Sequence, residues 1–205
     1  MIAKGCLAWV LSPLILFFLF LIIFYNSSWI FIVLIPLLCI TIIFLIFFRD
    51  PERIIGKGIV SPADGRIIDV KKEKDQVFIA IFMNIFDVHV NRIPIDGIIT
   101  EMKHFPGKHL RAYKKESEQN ERVTIDIDSS IGKVTIVQIA GLVARRIYPY
   151  IKKGDKLKKG DRIGIIRFGS RVDVYLPANK IKNVNVKIKD IVFAGVTTIA
   201  EVGNS

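Results

Sequence analysis

Apolar and polar positions divide the chain into two materials. From Leu7 to Tyr25, and again from Trp29 to Phe48, nearly every side chain is apolar, and Asn26-Ser27-Ser28 is the polar break between the runs. At about 1.5 Å per helical residue, either run can cross a hydrocarbon layer of ~30 Å. The pattern therefore predicts a two-helix transmembrane hairpin over 7–25 and 29–48, with Pro13 and Pro36 as kinks of the kind membrane helices tolerate. A cleaved secretory signal has an apolar run of only about 7–15 residues. A helix pair buried in a small soluble core rarely carries ~20 uninterrupted apolar residues. Residues 1–48 are accordingly read as an uncleaved membrane anchor.

Beyond residue 48 the periodicity changes to short runs rich in Val and Ile, punctuated by Gly, Pro, Asp and Asn, as in β structure. Strands are predicted at 66–71, 77–83, 97–103, 122–128, 133–139, 162–168, 171–176 and 183–188, and no long amphipathic helix is evident. Two segments, GIVSPADGRIIDV at 58–70 and IKKGDKLKKGDRIGII at 151–166, place Gly and Asp where tight turns need them. They have the look of a β-hammerhead. The fold class expected for 49–205 is mainly β, a barrel-sandwich-hybrid-like soluble domain. Lipoyl and biotinyl carriers use the same module, so a membrane-tethered carrier or binding module is the alternative. Its modified lysine would sit in a DKA or MKM tripeptide, of which Met102-Lys103-His104 is a weak imitation.

Charge sharpens the division. The net charge is +11, yet Lys4 is the sole charged residue among the first 48. The remainder holds 29 basic and 19 acidic residues, a difference of +10. Lys4, Arg49, Arg53 and Lys57 flank the hairpin, which by the positive-inside bias puts the soluble domain on the cytoplasmic side of the cell membrane. The basic run at 152–162 has no aromatic residue for base stacking, so it suits an anionic membrane surface and not nucleic acid. Both cysteines, Cys6 and Cys39, lie in the anchor, so the soluble domain has no cysteine metal site or disulfide, and no metal is expected.

Three residues stand out as chemistry. Gly169-Ser170 on its own reads as a bulge or turn between strands. Asp64 likewise reads as a turn aspartate, and His89 as a satisfied histidine at a strand end. Together an Asp, a His and a Ser form the set that activates a hydroxyl nucleophile, in a chain with only three histidines.

Five short motifs occur in order: SPADG at 61–65, DVHVNR at 87–92, PG at 106–107, NER at 120–122 and FGS at 168–170. In this order and spacing the chain resembles the phosphatidylserine decarboxylase family, specifically its short form, over about residues 49–177 and in its anchor. An archaeal host would make the substrate archaetidylserine. The resemblance implies a proenzyme that cuts itself between Gly169 and Ser170, leaving a larger chain 1–169 paired with a smaller chain 170–205. Ser170 Oγ would reach the Gly169 carbonyl, where no Cβ obstructs attack, and Ser170 would end as an N-terminal pyruvoyl group, the cofactor. Its ketone would form a Schiff base with the amine of a serine phospholipid and accept electrons as carbon dioxide leaves, giving the ethanolamine lipid.

The same resemblance makes His89, oriented by Asp64, the base. Better-known bacterial members carry a second histidine three residues after the first, where this chain has Arg92. His104 and His109, flanking Pro106-Gly107, are possible substitutes. Arg92, Arg122, Arg145, Arg146 and Arg171 are candidates to grip the lipid phosphate, since a guanidinium can hold a phosphate with two parallel hydrogen bonds.

Overall fold

A computed structural model describes residues 1–107, 120–141, 147–167 and 170–203. The chain forms two compact units, Met1–Glu52 and Arg53–Ser205.

In the first unit the two apolar runs are helices, α1 (Leu7–Phe24) and α2 (Phe31–Phe47). The second begins two residues later than its apolar run because the chain is still turning: the Ser27 amide donates to the Phe24 carbonyl and the Ile30 amide to the Ser27 carbonyl. Trp9 packs on Phe44 and Phe48, with ring centroids 6.1 and 6.3 Å apart. Ile2 bridges Arg49 in antiparallel fashion, and the Asp50 amide donates to the Met1 carbonyl at 2.7 Å. The segments entering and leaving the pair therefore lie together at one end. Ile22, Phe31, Ile32 and Ile35 are among many large apolar side chains left exposed on these helices. By length and composition α1 can cross a membrane.

The second unit is mainly β. Its largest sheet is eight-stranded and antiparallel. Taken in spatial order it consists of β13 (Ile191–Val192), β2 (Gly65–Lys72), β3 (Gln76–Met83), β11 (Ser170–Pro177), β7 (Gly132–Ala140), β6 (Arg122–Ser129), β5 (Gly97–Phe105) and β9 (Lys156–Leu157). A three-stranded sheet joins β1 (Ile59–Val60), β14 (Thr198–Val202) and β12 (Ile181–Val184). Another joins β4 (Val90–Arg92), β10 (Arg162–Ile166) and β8 (Ile147–Pro149). Isoleucine and valine, whose branched side chains suit a pleated surface, fill the interior, with Ile67, Ile79, Ile81, Ile125, Ile127, Ile136, Val172 and Val174 fully buried.

One glycine fixes how β2 enters the large sheet. Gly65 has φ +143, and a Cβ there would stand 2.2 Å from the Phe82 carbonyl oxygen on β3. The backbones can come this close only because residue 65 has no side chain.

The strand expected at 183–188 ends early. It occupies Ile181–Val184, because Asp190 Oδ2 accepts the Lys187 amide and Lys189 turns to φ 82. The alternating Asn-Val-Asn-Val-Lys-Ile looks like a strand, but an aspartate-held turn takes its second half.

Candidate active site

Ser170 is the first residue of β11, and β11 runs through the middle of the large sheet. Its register partners are Met83 on β3 and Ala140 on β7, so the serine is flanked on both sides by paired backbone. Side chains alternate along a strand, so Ser170 shares its face with the buried Val172 and Val174, while Arg171 and Asp173 occupy the other. Ser170 Oγ is fully buried and meets no hydrogen-bond partner among the described residues. Gly169 lies outside the described residues.

NER flanks Ser170 through Ala140, and DVHVNR links the strand leading to Ser170 with SPADG. The Asn120 amide nitrogen donates to the Ala140 carbonyl at 2.8 Å, and the Ala140 amide donates to the Glu121 carbonyl, so the NER segment holds one flank of Ser170. The DVHVNR segment forms β4 and the turn before it. There the His89 carbonyl accepts the Ile166 amide at 3.3 Å, four residues before the serine, and the Arg92 amide donates to the Pro62 carbonyl of SPADG at 2.8 Å. His89 is fully buried, and its Nδ1 stands 2.9 Å from the Asp87 carbonyl oxygen. A carbonyl can only accept, so Nδ1 carries the hydrogen, and in the neutral ring Nε2 keeps the lone pair.

Asp64 does not orient His89 as expected. Its Oδ1 accepts the Ala194 amide at 2.7 Å and its Oδ2 accepts Arg53 Nη2 at 2.8 Å. Both oxygens are engaged where β2 begins, and the Asp87 main chain takes over the orienting of the imidazole.

The arginines separate by environment. Arg171 gives both prongs of its guanidinium to Asp173, Nε to Oδ1 at 2.5 Å and Nη2 to Oδ2 at 2.8 Å, with both side chains nearly buried. Arg92 is buried and donates to the Gly160 carbonyl at 2.8 Å. Both guanidiniums are thus engaged by groups of the β unit itself. Arg122 lies over the Phe105 ring at 4.7 Å and is half-buried. Arg145, Arg146 and His109 lie outside the described residues. His104 Nε2 is 3.1 Å from Glu121 Oε1 at the exposed end of β5.

Two polar residues in this interior escaped the sequence reading. Gln138 on β7 and Asn91 on β4 are fully buried, and Gln138 Nε2 donates to Asn91 Oδ1 at 2.8 Å. Asn91 Nδ2 in turn points to Met83 Sδ at 3.5 Å. The available signal was a lone glutamine in the otherwise apolar run IVQIA.

The family model of phosphatidylserine decarboxylase matches residues 40–200. The chain belongs to that family. A phosphatidylserine decarboxylase proenzyme of Streptomyces avermitilis is 50% identical over 155 residues, covering 75% of this chain and 71% of the relative. Another, from Polynucleobacter asymbioticus, is 49% identical over 175 residues and 80% of each chain. A Methanococcoides burtonii protein, provisionally named an archaetidylserine decarboxylase proenzyme, is 40% identical along the whole of this chain and 98% of its own. The match of the family model spans Ser170 and all the strands of the large sheet.

Proposed function

We propose that this member of the phosphatidylserine decarboxylase family is a self-processing carboxy-lyase, which converts a serine phospholipid to the ethanolamine phospholipid after cutting its own Gly169-Ser170 bond. The observation that carries this reading is the buried hydroxyl of Ser170 at the head of the central strand, without a hydrogen-bond partner among the described residues. A hydroxyl left without a partner in a protein interior is costly, by about 1–3 kcal/mol, and is retained where it has a task.

The task begins with the hydroxyl itself. Ser170 Oγ attacks the Gly169 carbonyl carbon; the new C–O bond replaces the peptide C–N bond, and the hydroxyl proton ends on the Ser170 nitrogen. His89, with Nε2 unprotonated, is suited to take the Ser170 α-proton, whereupon Gly169 leaves as a carboxylate and water releases ammonia. A pyruvoyl group retains the three carbons of Ser170, so it fits the space between Met83 and Ala140. The pyruvoyl carbonyl supplies an electron sink for decarboxylating an amine-bearing acid. His89 can afterwards return a proton to the product carbon.

Phosphate recognition falls to Arg122, with Arg145 and Arg146 as further candidates. The remaining parts of the proposal are a barrel-sandwich-hybrid character for the β unit, a membrane crossing by the α1–α2 pair and a cytoplasmic position for the β unit. The outward apolar side chains of both helices and their basic flanks support the last two. The two ether- and ester-linked forms of serine lipid are both compatible with a site that reads the headgroup.

Intact-mass measurement of purified protein tests the reading. Wild type yields fragments meeting at 169/170, the smaller beginning with a pyruvoyl group, and the Ser170→Ala chain stays whole and releases no carbon dioxide from a serine phospholipid. A folded wild-type chain that remains uncut would overturn it.

A further inference from the structure

Ser170 Oγ shares its predicament with another atom: Gln138 Oε1 is likewise buried without a hydrogen-bond partner among the described residues. The two belong to neighbouring strands. Ala140 is the register partner of Ser170 and Gln138 that of Val172, so Gln138 and Ser170 stand diagonally on the same face of the sheet. Diagonal neighbours are separated by roughly 7–8 Å between backbones. A glutamine arm on one strand is long enough to bring its amide within reach of a hydroxyl on the other.

The rest of the glutamine is already fixed. Its Nε2 donates to Asn91 Oδ1, and Asn91 is anchored through Nδ2 to Met83 Sδ, on the opposite flank of Ser170. The bond to Asn91 fixes which way the amide faces, and its oxygen is an acceptor without a partner among the described residues, while the serine hydroxyl is a donor in need of one.

We propose that Gln138, held by Asn91, is the positioning residue for self-cleavage: its Oε1 accepts the Ser170 hydroxyl hydrogen and turns the oxygen lone pair toward the Gly169 carbonyl. The amide is too weak a base to remove the proton, which passes to the Ser170 nitrogen as the C–O bond forms and the C–N bond breaks. A neutral acceptor suits this role, since it orients the hydroxyl without placing a second charge in the interior. This inference rests on the proposed cleavage at Gly169-Ser170.

The test follows cleavage of freshly folded, full-length chains by mass across pH 5–9, for wild type, Gln138→Leu and Gln138→Glu, counting only the protease-resistant, folded fraction. The leucine variant is expected to cut at least tenfold more slowly at every pH. The glutamate variant gains a titrating acceptor whose pKa burial raises. Its cleavage should be slow at low pH, where the protonated acid offers a donor, and recover with rising pH, a limb added to the one that His89 gives every variant. A merely structural glutamine predicts folded variants that cut at the wild-type rate with the wild-type pH profile, and that result overturns the inference. An uncut wild type would instead remove the reading beneath it, so the two failures are distinguishable.

Discussion

The Nδ1 of His89 is held 2.9 Å from the main-chain carbonyl oxygen of Asp87, two residues earlier in the same segment. The imidazole is thus oriented by its own backbone, in the tautomer that keeps a lone pair on Nε2. Replacing His89 with Ala removes the base and should slow self-processing by on the order of 10²–10⁴-fold. Mass measurement over time would show it, as precursor or ester persisting in a chain whose melting temperature is close to wild type. Asp64→Asn should have a far smaller effect on the rate per folded molecule, because Asp64 does not touch the ring.

Asp64 should matter for folding. Its two oxygens hold Arg53 and the Ala194 amide, with both side chains of the ion pair largely buried. Asp64→Ala strands the amide and the guanidinium, and is expected to destabilise the β unit by about 2–4 kcal/mol. Denaturant unfolding checks this.

Arg171 and Asp173 make a similar case on the face of β11 opposite Ser170. Removing either partner alone leaves a nearly buried charge and should cost about 3–5 kcal/mol, whereas replacing both with apolar residues of similar volume should be much milder. A double-mutant cycle in urea measures the difference. If Arg171→Ala instead left stability intact and raised KM for the lipid, its assignment to the fold would be wrong.

Asp126 provides a pH signature. Burial pushes its carboxyl upward, but hydrogen bonds from Lys133 at 2.8 Å and Thr135 at 2.7 Å outweigh this and hold it below the ordinary carboxylate range. A carboxyl lowered on folding stabilises fully above its unfolded value near 4, and that benefit disappears as pH falls through the lower folded value. Asp126→Asn should therefore lower the melting temperature at pH 7 and converge with wild type in strong acid. Lys133 is raised by the same pair, so its side of the interaction is fully present at neutral pH and is lost only as pH rises through its raised value.

Gly65→Ala should be among the most damaging single-methyl changes. The added carbon meets the Phe82 carbonyl, and φ +143 is a conformation that side chains avoid. A loss of about 1–3 kcal/mol or more is expected, read as a falling melting temperature.

Most long strands were legible because Ile and Val runs between Gly and Asp turns leave few alternatives. β2, β3, β5, β6, β7 and β11 lie within two residues of their expected limits. The very short strands were not legible: β1, β9 and β13 have two residues each, and β4 and β8 three, too few for any period to show. Ser170, His89 and Asp64 were recognisable only as members of an ordered set of motifs. The pairing of Asp64 with Arg53, and of Gln138 with Asn91, depends on contacts between segments 11 and 47 residues apart, which local patterning does not encode.

The position of Ser170 between two strands has a mechanical consequence. Chain termini ordinarily fray, yet a cut before Ser170 would create an end whose neighbours on β3 and β7 already clamp it on both sides. The piece beginning at that end would also supply β12 and β14 to a second sheet and β13 to the edge of the first, so it is sewn in at several places. Such a cut severs the chain without releasing a part, and the newborn terminus is as stationary as a residue in mid-strand. A reactive group carried there would need no separate arm or lid to hold it still.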